Sequence, residues 1–346
     1  MSPEGFLDDL HRKPEALTAL AASLRDGDPW GEAVAAVPPG SPPRVVMLGM
    51  GSSAYAASVA AARLRARGVA AVAELASSDL LPSWGDGTLV VAISASGTSR
   101  ETLDALDRLP ADVRTVALTN TPGSALSQRC GATVLMEAGT EVGGVACRSF
   151  QHTLVQLLAL EARLTGSGTG ALCTTVDRAA DASAALLDDA ARWLPEVTPL
   201  LVGPDGTHLA APARRLSSAQ QSALMLREGP RRPAVACEAG DWAHVDVYLT
   251  KNTDYRLAVF AGSRWDDGIL EWTRPRGTTV VSVGGPFPDA AYTLRYPHDD
   301  HDDVRLLTEV LPVELVAAHL WRGEQGPAHR AAVVQNGGKA NAKKNS

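Results

Sequence analysis

The sequence has few of the features that mark membrane, secreted or nucleic-acid-binding proteins. It has no apolar run approaching the roughly 20 residues needed to cross a bilayer, and its first residues lack the basic-then-apolar order of a signal peptide. The net charge of -7 includes no basic stripe interleaved with aromatic residues. We therefore expect a cytoplasmic protein with neither a membrane nor a nucleic acid as its partner.

Cysteine is also scarce. The chain has four cysteines without paired spacing, which argues against a disulfide framework and a structural zinc site. The acidic run at 298–303, HDDHDD, contains metal-ligand residue types, but consecutive ligands beside Pro297 cannot all point at one ion. We interpret this run as a solvated turn and expect neither a metal nor a cofactor.

The chain does have length and a repeated alternation of strand and helix patterns. Its 346 residues, of which 45% are hydrophobic, suit two domains of roughly 150 residues each. Short apolar runs that lead into turns and helical stretches lie at 44–50, 88–94, 113–119, 198–204, 255–262 and 278–285. Strands that alternate with helices predict an α/β fold with a doubly wound parallel sheet in each half.

The Gly-rich segment 165–171 separates the two halves. We expect an N-terminal domain at 1–168, a linker helix at 169–195, a C-terminal domain at 196–325 and a flexible tail at 326–346. The run at 198–204 is predicted as the first strand of the C-terminal domain, followed by a helix from about His208 to Glu228.

Two turns of the N-terminal half are rich in hydroxyl groups. In GMGSSAY, Ser52 and Ser53 begin a helix after a glycine turn, and in SASGTSRET three serines surround Gly97. Such turns can hold a phosphate with hydroxyls and backbone N–H groups, without Lys or Arg. A helix needs one hydroxyl as its cap, and we assign that role to Thr98 because Glu101 follows at capping-box spacing. The remaining hydroxyls predict an anion site.

These motifs, together with TNTPGSAL and AGTEVGGVACRSF, resemble the SIS (sugar isomerase) family, specifically the tandem isomerase half of glutamine-fructose-6-phosphate transaminase. The resemblance runs from FLDDLHRKPEAL to the helix that ends near Trp321, and it implies two flavodoxin-like SIS domains in tandem. By this resemblance, the phosphate-binding positions are Ser53, Ser94, Ser96 and Ser99, and the sugar-contacting positions are Ser52, Ala95 and Gly144.

Two residues of the C-terminal half complete the expected site. Glu228 ends a helical stretch, and a carboxylate at a helix C-terminus faces the negative end of the dipole, which favours its protonated form. By the resemblance, Glu228 matches the glutamate that shuttles the carbon-2 proton, and His244 matches the ring-opening histidine. In the family this histidine reaches the site from the neighbouring subunit, which implies a homodimer.

Departures from the family pattern reduce the number of reactions that we expect for this chain. The sequence shows no glutaminase segment, so we do not expect glutamine-dependent amino transfer by this chain alone. The family's imine-forming lysine falls on Val334, while Lys339, Lys343 and Lys344 lie in a Gly- and Asn-rich tail. The stand-alone relatives are aminosugar-phosphate deaminases, fructosamine-phosphate deglycases and a dehydratase of N-acetylglucosamine 6-phosphate.

Among these reactions we favour dehydration of N-acetylglucosamine 6-phosphate. Once Glu228 has removed the carbon-2 proton, the enol is either reprotonated at carbon 1 or expels the carbon-3 hydroxyl. The missing lysine and an amide nitrogen weaken the first route, whereas elimination needs only an acid such as His244. The alternatives are a glucosamine-6-phosphate deaminase or isomerase, a fructosamine-6-phosphate deglycase, and a non-catalytic phosphosugar sensor.

Overall fold

A computed structural model of the chain describes residues 1–34, 43–82, 84–85 and 87–324, and the tail expected at 326–346 lies outside these ranges. The helices are α1 (Pro3–His11), α2 (Lys13–Asp26), α3 (Gly31–Val34), α4 (Ser52–Ala66), α5 (Arg100–Asp107), α6 (Ala125–Arg129), α7 (Arg148–Thr165), α8 (Gly170–Asp188), α9 (Ala190–Leu201), α10 (Leu216–Glu228), α11 (Asp266–Thr273), α12 (Asp302–Thr308) and α13 (Leu311–Glu324). The strands are β1 (Arg44–Gly49), β2 (Ala71–Leu75), β3 (Thr88–Ile93), β4 (Arg114–Thr119), β5 (Ala132–Leu135), β6 (Thr207–Ala211), β7 (Ala234–Glu238), β8 (Arg256–Phe260), β9 (Thr279–Val283) and β10 (Tyr292–Leu294). Within the described ranges, no helix combines the length and the apolar character that crossing a bilayer requires.

The first sheet consists of five parallel strands in the order β2-β1-β3-β4-β5. At its centre, Val46 of β1 lies opposite both Val72 of β2 and Val90 of β3. Every residue of β3 is buried, as expected for a strand that helices cover on both faces. The winding of the chain reverses between β1 and β3, which opens a crevice at the carboxyl ends of these two strands.

The second sheet repeats this arrangement. Its five parallel strands have the order β7-β6-β8-β9-β10, which corresponds strand for strand to the order in the first sheet. Its winding reverses between β6 and β8. The predicted fold, two doubly wound parallel-sheet domains in tandem, is confirmed.

One predicted strand is wrong. The first half of the run at 198–204 belongs to helix α9, and the first strand of the second sheet is β6, so that His208 lies on a strand and not in a helix. A short apolar run has the same composition in a buried strand and a buried helix. The helical spacing of Trp193, Val197 and Leu201, all buried in α9, distinguishes the two. The expected linker at 169–195 comprises α8 and the first half of α9.

Helix α4 joins the two domains. Its buried small residues, Ala56, Ala57, Ala60 and Ala61, allow close packing, and it lies against α7 of its own domain and α10 of the other. Since α4 begins at Ser52 and α10 ends at Glu228, the helices that bear the expected phosphate-binding and acid-base residues are in direct contact.

Candidate active site

A cleft of ≈ 540 Å³ opens at the carboxyl ends of β3, β4 and β5. It is lined by Ala95, Ser96, Asn120, Thr121, Pro122, Gly139, Thr140, Glu141, Gly144, Val145 and Ala146. The structure thus brings together three of the predicted site residues, Ala95, Ser96 and Gly144. The predicted residues outside these walls are Ser52, Ser53, Ser94, Ser99, Glu228 and His244. The volume lies within the range of about 300–1,000 Å³ that is typical of small-molecule sites.

The turn after β3 is fixed against the end of β4. Gly97 has a φ of +66°, and a Cβ at this position would lie 2.1 Å from Ser124 Oγ and 3.0 Å from Thr119 Oγ1. The carbonyl oxygen of Ala95 accepts hydrogen bonds from Thr119 Oγ1 at 3.2 Å and from the backbone N–H of Asn120 at 3.0 Å. Only glycine fits this position, and the hydroxyl-rich turn is therefore held rigidly at the mouth of the cleft.

The N-cap of α5 is Ser99, and the prediction of Thr98 is wrong. Ser99 Oγ accepts the backbone N–H of Thr102 at 3.3 Å and donates to Glu101 Oε2 at 3.1 Å. The backbone N–H of Glu101 and this hydroxyl both hydrogen-bond to the Glu101 carboxylate, which lowers its pKa. The hydroxyl of Thr98 pairs instead with Ser96 Oγ at 2.9 Å. The spacing to Glu101 alone could not show whether Thr98 or the adjacent Ser99 is the N-cap.

Replacing Ser99 with Ala is expected to lower the free energy of unfolding by about 1 kcal/mol, because an N–H at the start of α5 loses its acceptor. The neighbouring change Thr98→Ala is the matched control and should cost less than about 0.5 kcal/mol. Urea unfolding followed by circular dichroism measures both. Equal losses would show that the cap has been assigned to the wrong residue.

The turn after β1 brings α4 close to the sheet. A Cβ on Gly49 would lie 2.9 Å from the Cβ of Ser53, so the strand end needs a glycine here. Gly51, with a φ of +49°, precedes the helix, and the backbone N–H of Ser53 donates to the carbonyl oxygen of Met50 at 3.1 Å. Ser52 and Ser53 are both half-buried at the helix start. The N-terminal N–H groups and the positive dipole end of α4 therefore lie at the crevice between β1 and β3.

Ser94 differs from the other predicted phosphate ligands because it is buried. Its backbone N–H donates to the carbonyl oxygen of Leu118 at 3.1 Å, and its own carbonyl oxygen accepts the N–H of Gly97 at 3.0 Å. The first bond joins Ser94 to β4, and the second closes the turn itself.

Two cleft residues to which the sequence assigned no role hold the opposite wall. Asn120 donates from Nδ2 to the carbonyl oxygen of Gly139 at 2.7 Å and accepts the N–H of Ala138 at 2.9 Å. Glu141 Oε1 accepts three consecutive backbone N–H groups at the start of α7 and is that helix's capping group. The motifs TNTPGSAL and AGTEVGGVACRSF contained both residues, and for Asn120 the available signal was its position directly after β4. Among the described residues that line the cleft there is neither Lys nor Arg.

Glu228 is half-buried at the end of α10. Burial raises the pKa of its carboxyl group, and neighbouring Arg227 acts in the opposite sense. The direction agrees with the expectation from the sequence, and its principal cause is desolvation. The turn that follows is tightly packed, since a Cβ on Gly229 would lie 3.1 Å from Trp321 Cε3.

Helical periodicity relates Glu228 to the cleft. Gln221 donates from Nε2 to the carbonyl oxygen of Ala146 at 2.8 Å, and Ala146 is part of the cleft wall. Glu228 lies seven residues after Gln221, which is close to two helical turns. The two residues therefore share a face of α10, and Glu228 lies about 10 Å further along the axis. This face of α10 meets the N-terminal domain. The sequence analysis assigned no role to Gln221.

His244 is exposed and lies between two buried anchors. Trp242 Nε1 donates to the hydroxyl of Tyr255 at 2.9 Å, and this hydroxyl donates to Asp246 Oδ2 at 2.9 Å. The buried residues Trp242 and Asp246 thus fix the position of His244 on the surface.

The surface around His244 includes three large apolar side chains and the exposed Lys251, whose Nζ lies 5.6 Å from the centroid of the Tyr248 ring. Val245, Tyr248 and Leu249 are 50%, 62% and 40% exposed. Large apolar side chains grouped on a surface mark sites of interaction. His244 is therefore placed on a surface that suits contact with another chain.

Two further expectations concern the position of the imine-forming lysine and the presence of a metal site. The position expected to lack the imine-forming lysine, Val334, and the tail residues Lys339, Lys343 and Lys344 lie outside the described residues. In the part of the chain that the structure describes, no group of three or more His, Cys, Asp or Glu side chains is arranged to hold a metal ion.

Fold and site together define a protein with two doubly wound α/β domains and a ligand-sized cleft at the carboxyl edge of its first sheet. Residues 41–165 match the family model described as the SIS domain. This match includes the first sheet, the walls of the cleft and the whole of α7. Residues 41–165 are therefore similar to an SIS domain, and the family resemblance of the sequence is confirmed.

Comparison with individual proteins gives relatives of the same kind. The chain is 29% identical over 297 residues to a glutamine–fructose-6-phosphate aminotransferase (isomerizing) of Aeropyrum pernix. The alignment covers 81% of this chain and 47% of that protein. The chain thus spans about half the length of the curated relatives it matches.

Two solved structures have the same fold. The C-terminal domain of a glucosamine-fructose-6-phosphate aminotransferase from Francisella tularensis has a TM-score of 0.77 at 18% identity, over 92% of this chain and 95% of that one. A glucosamine-6-phosphate deaminase from Thermotoga maritima has a TM-score of 0.66 at 16% identity, over 93% and 95% of the two chains. At these identities the likeness shows the fold alone.

Proposed function

We propose that this chain is an enzyme that removes the carbon-2 proton of an aminosugar 6-phosphate. The observation that supports this most strongly is a half-buried Glu228 with a raised pKa, on the same face of α10 as Gln221, which holds the cleft wall. A carboxylate whose pKa is moved towards neutral is better matched to proton transfer near pH 7. The names of the Aeropyrum aminotransferase and the Thermotoga deaminase contain fructose 6-phosphate and glucosamine 6-phosphate, which are both hexose 6-phosphates.

In this proposal the phosphate lies at the crevice between β1 and β3. The hydroxyls of Ser53, Ser94 and Ser96 and the N-terminus of α4 supply neutral donors to its oxygens. Ser99 joins them only by giving up its hydrogen bond to Glu101 Oε2. Ser52 and the backbone of Ala95 and Gly144 contact the sugar. The sugar then extends through the cleft towards the C-terminal end of α10, where Glu228 meets carbon 2.

The reaction we propose is dehydration of N-acetylglucosamine 6-phosphate in its open-chain form. Glu228 takes the carbon-2 proton, and the electron pair of that C–H bond forms a double bond between carbons 2 and 3. The carbon-3 C–O bond breaks, and the hydroxyl leaves as water with a proton from His244. The aldehyde at carbon 1 is retained, and the product is the substrate less one molecule of water.

The alternative is deamination of glucosamine 6-phosphate, which the fold shared with the Thermotoga deaminase favours. It begins with the same proton abstraction by Glu228. The enol is then reprotonated at carbon 1, and water hydrolyses the resulting imine at carbon 2 to release ammonia.

Mass spectrometry and an ammonia assay distinguish these reactions when the full chain is incubated with each sugar phosphate. We expect the N-acetyl form to lose the mass of one water molecule without release of ammonia. Ammonia from glucosamine 6-phosphate would support the alternative, and an unchanged mass with a new retention time would mean isomerisation. Tight binding of both sugars without any turnover would contradict an enzymatic role and leave a phosphosugar sensor.

We also propose a homodimer in which His244 of each chain completes the partner's site. The exposed apolar side chains beside His244 support a subunit contact on this surface, and the histidine lies outside the cleft of its own chain. In this arrangement His244 of a second copy of the chain would enter the cleft and lie opposite Glu228.

Mixing two inactive variants tests this arrangement. After subunit exchange between His244→Ala and Glu228→Gln chains, we expect about a quarter of wild-type activity, because half of the dimers are then mixed and each mixed dimer has one intact site. Size-exclusion chromatography with light scattering checks that both variants are dimers. If the mixture stays inactive, His244 does not act across the interface.

A further inference from the structure

A buried network lies behind the loop that forms the far wall of the cleft, residues 139–146. Asp9 of α1 is fully buried, and its Oδ2 accepts the backbone N–H of Gly143 at 2.7 Å. Its Oδ1 accepts a hydrogen bond from Arg148 Nη2 at 2.8 Å, and the same nitrogen donates to the carbonyl oxygen of Thr140 at 2.6 Å. Asp9 therefore holds the wall loop at two points, directly and through Arg148.

Helix α1 also lies against this loop without intervening side chains. A Cβ on Gly143 would lie 2.5 Å from the Cα of Phe6, and a Cβ on Gly5 would lie 2.9 Å from the carbonyl oxygen of Val142. The backbone N–H of Ser2 donates to the carbonyl oxygen of Gly143 at 3.0 Å. Contact this close between two backbones requires glycine on each side.

The same helix supports the turn that follows Glu228. The ring centroids of Phe6 and Trp321 are 6.3 Å apart. Trp321 in turn covers Gly229, the residue after Glu228, at the 3.1 Å separation already described. One face of α1 thus contacts the cleft wall and, through the ring of Trp321, the turn that follows Glu228.

We propose that α1 is a brace that fixes the cleft wall relative to Glu228, with Asp9 as its positioning residue. For its catalytic consequence this proposal rests on the proposed function. Asp9 serves two donors with two carboxylate oxygens, whereas Asn offers one acceptor and an NH2 group. In Asp9→Asn, either Gly143 or Arg148 loses its acceptor inside the protein, where an unpaired polar group is costly. The turns after β1 and β3, which are proposed to hold the phosphate, are not bonded to Asp9.

Hydrogen exchange of the full chain without ligand tests the brace independently of any activity. We expect the peptide spanning 139–148 to exchange about tenfold faster in Asp9→Asn, because the loop opens locally more often. Asp9→Glu retains both acceptors and should recover part of the protection. The control is Asp177→Asn, which removes the exposed ion pair between α8 and Arg25 of α2 and should leave exchange in this peptide unchanged. Equal exchange in wild type and Asp9→Asn overturns the brace.

Turnover and binding then test the consequence for catalysis. In Asp9→Asn we expect kcat to fall about tenfold, since the sugar is held less well relative to the base. Affinity for inorganic phosphate, measured by calorimetry, should stay within about twofold, because Asp9 does not contact the phosphate turns. A parallel loss of phosphate affinity would indicate general destabilisation and contradict positioning. If the wild-type chain turns over no sugar phosphate, the proposed function fails while the exchange result still decides the brace.

Discussion

Replacing Glu228 with Gln is expected to lower kcat by about 10²–10⁴-fold, the usual contribution of a general base. The amide has nearly the same shape as the carboxylate, but it cannot accept the carbon-2 proton. Substrate affinity should change by less than about threefold, because the donors that hold the phosphate lie in the other domain. Initial-rate measurements and calorimetric titration of the same preparation provide the two values.

Glu271→Gln provides the control, because Glu271 is an exposed glutamate of α11 in the same domain. It should retain wild-type kinetics. The pH profile gives a second check on Glu228. Because burial raises its pKa, the deprotonated base is lost as pH falls through this raised value. The acid limb of kcat/KM should therefore lie at higher pH than for an exposed glutamate. Near-wild-type turnover in Glu228→Gln would remove this residue from the mechanism.

Replacing Gly97 with Ala is expected to destabilise the chain by roughly 3–5 kcal/mol, the sum of backbone strain and overpacking. The added Cβ would lie 2.1 Å from Ser124 Oγ and 2.3 Å from Ser124 Cβ in a backbone conformation that disfavours side chains. The turn would have to move away from Ser124 and carry Ser96 with it, so phosphosugar affinity should fall as well. Urea unfolding and calorimetry measure the two effects.

Gly123→Ala measures the cost of backbone strain without the cost of a steric clash. Gly123 has the same φ of +66°, but a Cβ there would meet nothing within 4 Å. The expected loss is therefore only the strain of the left-handed conformation, about 1 kcal/mol. If the two variants were equally destabilised, the close packing of Gly97 against Ser124 would not be what fixes the turn.

The architecture could be predicted from the sequence because its signals are local. Short apolar runs followed by turns and helical stretches recur along the chain, and alternation of this kind favours parallel sheets. The turns with Ser52, Ser53 and Ser96 were found for the same reason, since they directly follow predicted strands. The error at 198–204 has the same origin, because an apolar run of that length gives no sign of helix or strand by composition alone.

The far wall of the cleft could not be found in this way. Asp9 and Arg148 are distant in sequence, and their pairing becomes apparent only when α1 lies against the loop before α7. The cause of the raised pKa of Glu228 is likewise tertiary, because its desolvation depends on the packing around the end of α10. Helix position gave the correct direction through a different physical effect.

Deuterium exchange at carbon 2 tests the proposed chemistry most directly. The full chain is incubated in D2O with N-acetylglucosamine 6-phosphate or glucosamine 6-phosphate, and proton NMR follows the hydrogen at carbon 2. We expect this hydrogen to be lost from at least one of the two sugars, at a rate at least about 10²-fold lower in Glu228→Gln. Turnover to a product that keeps the original carbon-2 hydrogen would contradict proton abstraction by Glu228.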